Sequence, residues 1–399
     1  MSLYYEDQKI KLYQGNALDT LDKEIEDNSI DCAITSPPYW KLREYSSNQK
    51  YIWSGDSECD HEWNKNGFCY HCTAWKGDLG QEPSVNQYVN NLCDIFDKLK
   101  DVLKPTGVFW LNCGDSYLGN KGDTPKMKEY HSKNLMLVPY RLAIEMQDRG
   151  WIIRQIVNWH KTNPTPSSSK DRFCPDFEPL FMCTKTGDYY FEQQYDPIES
   201  IDRAYSDNKS EKRKNDDGIN AGMNTSSQDK YYDKVKNGEV PGKIKRTTWD
   251  ISTASSSAKH FAIFPEELVE TPVKATCPEK VCKNCGAPKE KIIETISNEE
   301  KKEKANNTKY DDIDQEKSVR QGFDSTRKWK PPTRKVKGYK ATCDCDAGYE
   351  SGVVLDIFHG SGTSGEVARK LGKKYIGVDT SEEYLQESLD TNLKQDYLW

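Results

Sequence analysis

The sequence predicts an α/β protein whose central sheet is assembled from both ends of the chain, with cysteine-rich insertions between them. Three observations carry this expectation. A buried-strand pattern at residues 30–35 stops in Ser36-Pro37-Pro38-Tyr39-Trp40. A strand, a glycine turn, a helix and a second strand crowd the C-terminal end, and only twenty residues follow Asp379. Two cysteine groups between these blocks have metal-ligand spacing.

The first block is compact. Residues 11–13 suit a short strand, 17–25 a helix turn and 30–35 a buried strand, so residues 1–40 are expected to be the first part of a catalytic core. Residues 41–84 are rich in Gly, Cys, His and Trp with little periodicity, and are expected to be a zinc-binding insertion. Order returns in 85–190, the second part of the core. Tyr88, Leu92, Ile95, Phe96, Leu99 and Val102 recur at helical spacing. Pro105-Thr106-Gly107 then stops the helix ahead of a strand, VFWLN. LVPYRLAIEMQDRGW follows as a helix, and IIRQIVNWH and EPLFMCTK as strands. Charges, Gly, Asn and Ser dissolve the pattern in 191–257, an expected insertion. Residues 258–281 read as a returning core segment, and 282–345 as a second, basic insertion. Residues 346–399 are sharply patterned again: GVVLDIF as strand, TSGEVARKLG as helix, KKYIGVD as strand, and SEEYLQESLDTNL as a Ser-capped helix.

Totals limit the function classes. The 399 residues suffice for about two to three domains. Hydrophobic residues make up 35% and mean hydropathy is -0.91, which suits one packed core with large solvated insertions. The net charge of -7 does not advertise nucleic-acid binding, although it can hide a local basic face. No apolar run approaches the ~20 residues of a membrane helix. The segment MSLYYEDQKIKLYQ has no signal-peptide pattern, so a cytoplasmic protein without membrane contact is expected. In that compartment thirteen cysteines read as metal ligands and buried thiols, not disulfides.

Gly360, Gly362 and Gly365 fit G-x-G-x-x-G between a strand and a helix, and Asp379 ends the next strand. Small residues let backbone approach a nucleoside-type ligand, and the acid can accept from ribose hydroxyls. A tight turn packed by glycines is the plainer alternative. A doubly wound sheet needs more strands than twenty residues can supply, so the N-terminal block must complete it.

ITSPPY with DIFHGSGTS resembles the amino-group DNA methyltransferases, in the β order that puts the catalytic motif first and the cofactor motif last. Further blocks are similar: YQGNALDTL, LGQEPSVNQYV, LKPTGVFWLNCGDSY and HFAIFPEELVETPV. The resemblance implies a circularly permuted Rossmann-like class I methyltransferase core using S-adenosylmethionine. By residue-wise carry-over, Asp356, Phe358, Gly360, Ser361, Gly362 and Thr363 line the cofactor and Asp379 takes the ribose hydroxyls. Phe261 and Pro265 close over the methionine end, and Asn16 is an adenine contact. Ile357 stands where the family has proline, and His359 where it has a small residue.

Ser36, Pro37, Pro38 and Tyr39 suit that chemistry. An exocyclic amine is a poor nucleophile, so a site must hold its hydrogens in acceptor bonds and align nitrogen, carbon and sulfur. Residues before proline are pushed out of the helical region, which stiffens Ser36 and Pro37. Tyr39 offers a face for a base that has left the duplex, with Trp40 as a neighbouring DNA contact. Taken alone, the tetrapeptide reads rather as a polyproline segment, a turn or a ligand for another protein; its place after a buried strand, in a chain with the glycine turn, reverses that. Methylation at a ring carbon needs a nucleophilic cysteine, usually after proline in that class, and no Pro-Cys dipeptide occurs. In the resembled family Ser at position 36 favours cytosine N4, with adenine N6 as the alternative. The rival classes are a nicotinamide oxidoreductase, which leaves Ser-Pro-Pro-Tyr unused, and a non-enzymatic zinc DNA-binding module, which leaves the C-terminal block unused.

Cys59, His61, Cys69 and Cys72 have the spacing of a tetrahedral zinc site, with His71 as an alternative ligand. Cys282, Cys285, Cys343 and Cys345 would pin both ends of a long excursion, with Cys277 nearby. Neither group leaves an open position for catalysis. Residues 325–340 hold seven basic residues, two aromatics and no acid. Arg327, Lys328, Lys330, Arg334, Lys335 and Lys337 are the candidates for tracking phosphates, and 191–257 and 282–345 for target recognition. Double-stranded DNA is the expected partner, with a cognate restriction endonuclease as a second one.

Overall fold

A computed structural model describes residues 2–42, 50–119, 130–196, 234, 242–254, 265–296 and 333–393. The chain divides into two units. One comprises 1–192, 246–288 and 343–399; the other comprises 193–245 and 289–342.

The first unit holds a nine-stranded sheet. In chain order its elements are β1 (Ser2–Glu6), β2 (Ile10–Gln14), α1 (Ala17–Lys23), β3 (Ile30–Thr35), α2 (Val85–Val102), β4 (Leu103–Asn112), α3 (Val138–Asp148), β5 (Ile152–Lys161), β6 (Phe177–Thr184), β7 (Thr248–Ile251), α4 (Glu266–Thr276), β8 (Val353–Asp356), α5 (Thr363–Lys370), β9 (Lys374–Asp379) and α6 (Glu382–Ser388). The strand order is β1-β2-β9-β8-β3-β4-β6-β5-β7. Thus β8 and β9, from the C-terminal end, lie between β2 and β3, from the N-terminal end. Strands β2, β9, β8, β3 and β4 run parallel. Strand β6 is antiparallel to both neighbours, β1 is antiparallel to β2, and β7 runs parallel to β5.

Both faces of the sheet are buried because its strands alternate apolar residues on both sides. In β4, Phe109 and Leu111 enter one core while Val108 and Trp110 enter the other. In β3, Ala33 faces the first core, and Cys32 and Ile34 the second. Helices α1, α2 and α3 cover the first face; α4, α5 and α6 cover the second. Ser84 caps α2 by accepting from Gln87 N, and every residue of its expected helical stripe is buried. Filling that stripe stabilises by about 1.5–3 kcal/mol per large side chain, so Leu92→Ala or Leu99→Ala would leave a costly cavity.

Two strands of the nine-stranded sheet escaped the sequence reading. β1 was not anticipated, and β7 falls inside the span 191–257 expected to be insertion. Its four residues are too few to show a period, yet Trp249 and Ile251 are buried, and Trp159 Nε1 donates to the Ile251 carbonyl at 2.9 Å. Residues 41–84 belong to the first unit, where Tyr51–Trp53 pairs antiparallel with Trp75–Gly77. Their Trp53 and Trp75 reach the main core, so this segment is not a free appendage.

In the second unit, Tyr195–Asp196 pairs with Lys243–Ile244, and Glu290–Ile296 with Thr333–Lys340. Lys335 and Lys337 lie on the second of these ribbons, opposite a strand carrying Glu290 and Glu294, and Lys337 forms an ion pair with Glu294. Arg334 is in register with Thr295. Phe261, Arg327, Lys328 and Lys330 lie outside the described residues. Among the described residues no helix is long and apolar enough to cross a membrane.

Candidate active site

Strands β8 and β3 are neighbours whose chain connections run in opposite directions across the sheet. Their C-terminal ends therefore flank a topological switch point, where open α/β sheets form crevices. Thr35 ends β3 and Asp356 ends β8. Thr35 Oγ1 donates to Asp356 Oδ1 at 2.6 Å, which ties the proline-rich loop to the glycine turn. Phe358 N also donates to Oδ1 (3.1 Å), and Ser364 Oγ to Oδ2 (2.7 Å). Asp356 is buried and its pKa is raised to about 6, because burial outweighs these three donors. It was expected to line a cofactor. Both its oxygens accept from the protein, and the carboxylate ties the two loops together.

The loop after Thr35 is stiffened by its prolines and braced by residues 79–88. Tyr88 Oη donates to the Pro38 carbonyl (2.8 Å), Trp40 Nε1 to the Glu82 carbonyl (3.0 Å) and Lys41 N to the Gly80 carbonyl (2.8 Å). Glu82 is itself buried. It accepts from Gly80 N and Asn91 Nδ2, and burial raises its pKa to about 7. Trp40 is only 2% exposed, so the expected DNA contact by this ring is corrected: its indole anchors the loop. With Pro38 engaged, Ser36 and Pro37 hold the loop carbonyls that accept no such bond among the described residues.

Ser36 and Tyr39 share a directed network. Ser36 Oγ donates to Tyr39 Oη at 3.1 Å. The phenol lies 3.0 Å from both Asn112 Oδ1 and Glu178 Oε2, and donates its one proton toward these acceptors. Asn112 Nδ2 donates to the Pro179 carbonyl, which fixes the amide with its oxygen toward Tyr39. Lys161 pairs with the other Glu178 oxygen. Burial first, then the Glu178 charge, raises the Tyr39 pKa well above 10, so the phenol keeps its proton. A Cβ at Gly114 would come 2.4 Å from the Tyr39 ring, so glycine is required there. None of Asn112, Glu178, Lys161 or Gly114 was picked out from sequence. Asn112 and Gly114 sit in the NCGDSY block, whereas Glu178 joins Tyr39 across 139 positions with no local signal.

At the glycine turn, Gly360 (φ 53°) and Gly362 (φ 84°) occupy left-handed backbone that favours glycine. A Cβ on Gly360 would make one ordinary van der Waals contact, with the Phe358 carbonyl oxygen at 3.9 Å. Asp379 Oδ2 accepts from Gly360 N (2.8 Å) and Oδ1 from Ser381 N (2.9 Å), joining the turn to the start of α6. Ile357 is buried in the first core where proline was expected. His359 fills the space under the turn: Nδ1 lies 2.7 Å from Tyr375 Oη and Nε2 2.8 Å from Ser388 Oγ. Because Ser388 Oγ donates to the Leu385 carbonyl, it accepts from Nε2–H, which leaves Nδ1 to accept from Tyr375. Burial pushes the His359 pKa down to about 3. A cleft of about 470 Å³ opens beside the turn, lined by Pro265, Ser361 and Thr363 with Asp250, Glu266 and Asn392 among others. Asn16, the expected adenine contact, caps α1 with its Oδ1 by accepting from Leu18 N at 2.8 Å.

Both cysteine groups converge. The ligand atoms of Cys59, His61, Cys69 and Cys72 lie within 4.8 Å of one another, as do those of Cys282, Cys285, Cys343 and Cys345. Cys59 and Cys69 sulfurs are 3.8 Å apart, and Cys72 Sγ is 3.5 Å from His61 Nδ1. His71 turns to Glu62 at 3.4 Å, and Cys277 is outside the second group.

A profile of the DNA methylase family matches residues 30–282 and 346–390, more than half of the chain. The type II methyltransferase M.SfiI of Streptomyces fimbriatus is 28% identical over 95% of this chain and 90% of its own length. The type II methyltransferase M.SmaI of Serratia marcescens is 26% identical over 92% and 84%. The solved structure of the PvuII DNA methyltransferase (cytosine-N4-specific) shares the fold. Its TM-score is 0.50 and its identity 16%, over all of this chain and 90% of that one. The matched profile, with the chain's motif order and sheet, places this chain in the DNA methylase family, the amino-group DNA methyltransferases.

Proposed function

We propose that this chain transfers a methyl group from S-adenosylmethionine to the N4 amine of a cytosine turned out of double-stranded DNA. The observation that carries the reading is the 2.6 Å bond between Thr35 and Asp356, which sets an amine-holding loop beside a nucleoside-type turn at one sheet end. Relative to the usual doubly wound sheet, the chain order is then a circular permutation. Gly360, Ser361, Thr363 and Pro265 would hold the cofactor along the cleft, with Asp379 near its ribose. The uncrowded backbone at Gly360, whose Cβ would meet only the Phe358 carbonyl oxygen at 3.9 Å, fits a ligand approaching it. When bound, the cofactor supplies an electrophilic methyl on sulfur.

The chain's own residues do the rest. The proton of Ser36 is directed at Tyr39, so its lone pairs are left to accept from the substrate amine beside the Ser36 and Pro37 carbonyls. The methylated amine must shed a proton, and the Ser36–Tyr39 chain ends on the Glu178 carboxylate. The part-exposed Tyr39 ring provides a stacking surface. The two cysteine groups fit structural zinc. At a Zn–S length of ~2.3 Å, tetrahedral sulfurs stand ~3.8 Å apart, and the knuckle amides His71 N and Ala74 N donate to Cys69 and Cys72. The basic stretch 325–340 remains the best candidate for tracking phosphates.

Mapping methylated bases in DNA from cells making the protein, with mass spectrometry of its nucleosides, tests this reading. N4-methylcytosine at one sequence is expected. N6-methyladenine would overturn the base assignment, and unmodified DNA the activity. Elemental analysis should return about two zinc per chain, falling by one in Cys72→Ser and by one in Cys285→Ser; a chain without zinc would sink the metal assignment.

A further inference from the structure

We propose that the loop at residues 162–176 contacts DNA, and that Phe173 enters the base stack beside the target base. The inference rests on the methyltransferase reading above and adds a residue to it. Strand β5 runs parallel to β3, so its C-terminal end, Lys161, lies on the catalytic edge of the sheet. The loop leaves from there and returns at Phe177, one residue before Glu178, which bonds Tyr39. Lys161 N donates to the Asp176 carbonyl at 2.7 Å and closes the neck. Phe173 is five residues from Glu178, so the chain keeps it within ~18 Å of a group touching the catalytic tyrosine.

The loop is braced, yet it holds its ring in water. Cys174 Sγ donates to the Thr165 carbonyl (3.4 Å), Ser169 Oγ to Asp171 (3.0 Å) and Arg172 Nε to Ser169 Oγ (3.2 Å). The Arg172 guanidinium sits 3.6 Å over the Tyr117 ring, and Tyr117 follows β4 on the same edge. Phe173 nevertheless is 97% exposed. Such a ring left in water is apolar surface that a partner could bury. The local charge selects that partner. Lys133 pairs with Asp171 at 2.6 Å, while exposed Lys170 and Arg172 precede Phe173 and Asp176 follows it, so cations gather on the N-terminal side of the ring. An apolar ring next to a cationic pair, on a loop from the catalytic edge of a site that needs an unstacked base, fits an aromatic wedge against duplex DNA.

The test uses Phe173→Ala and Phe173→Leu in the full chain, on a duplex carrying the mapped target and on the same duplex with the target base opposite an abasic site. Single-turnover methyl transfer should fall at least tenfold for Phe173→Ala on the paired duplex and much less on the pre-opened one. Phe173→Leu should fall between. Calorimetry with S-adenosylmethionine should be unchanged in both variants. Equal rates for variant and wild type on the paired duplex would overturn the proposal, and so would an equal loss on both duplexes. Absence of transfer by the wild-type chain on either DNA would instead overturn the activity on which the proposal rests.

Discussion

The Ser36–Tyr39 loop and the glycine turn meet at one sheet end, yet they are built oppositely. In the first, the framework is stiff and the polar groups lean inward, away from the crevice. Prolines fix the backbone, Tyr88 and Trp40 fasten it, and the Ser36 proton points at Tyr39. Lone pairs are thereby left over for a substrate. In the glycine turn the charged groups are saturated internally: Asp356 by Thr35, Phe358 and Ser364, and Asp379 by Gly360 and Ser381. What that turn offers a ligand is space at glycine and a fixed backbone. The difference teaches that damage to the two regions should appear in different measurements.

The largest effect is expected at Ser36. Ser36→Ala removes the side-chain acceptor held for the amine and leaves the brace intact. Methyl transfer at saturating cofactor should fall by about 10²–10³-fold, in line with loss of one pre-oriented polar group. The melting temperature and cofactor affinity should stay near wild type. A weakened cofactor affinity with preserved turnover would erase the contrast between the two regions. Tyr39→Phe keeps the ring but breaks the chain to Glu178, and a smaller fall of about tenfold is expected in the same assay.

Asp356→Ala should show the reverse signature. It leaves two hydroxyls and one amide without their acceptor in a buried place, at a cost of about 1–3 kcal/mol for each group that stays unpaired. Urea unfolding should show a lowered midpoint, and the S-adenosylmethionine KM should rise. Turnover at saturation should hold up far better than in Ser36→Ala. A turnover loss as large as that of Ser36→Ala, with unaltered stability, would mean that Asp356 touches the reacting groups.

How far the sequence foretold this arrangement follows the same physical line. β3, the α2 stripe, Ser-Pro-Pro-Tyr and the glycine turn were legible because each is a local pattern: alternation, a 3.6-residue period, proline sterics, glycine at positive φ. Trp40 was misread because exposure is not local; its indole finds a carbonyl 42 positions away. The capping role of Asn16 was missed, although an Asn before an apolar helix is a common cap. Glu178 and Lys161 were missed because their roles arise only when β6 inserts antiparallel between β4 and β5. β7 was missed because four residues show no period. The two cysteine groups were legible because ligand spacing within each half is local, although the second closes over a long excursion.

The smallest effect expected is a change of slope, and it tests whether the glycine turn is saturated from beneath. His359 is neutral in the folded chain with a pKa of about 3, whereas an unfolded histidine titrates near ~6.5. Between those values the unfolded state binds a proton that the folded state does not, so stability falls as pH drops through that window. From pH 7 to pH 5 this amounts to ~2 kcal/mol. Asp356 acts with the opposite sign: with its folded pKa raised to about 6, the folded state binds the extra proton, and stability is gained on acidification below that value. The wild type feels both effects. His359→Gln lacks the first and keeps the rest, so its stability change between pH 7 and pH 5 should be more favourable than that of the wild type by ~2 kcal/mol in paired urea titrations. Parallel declines in the two proteins would show that His359 is reached by water or carries its proton, and that the turn is not closed underneath by the Tyr375 and Ser388 bonds.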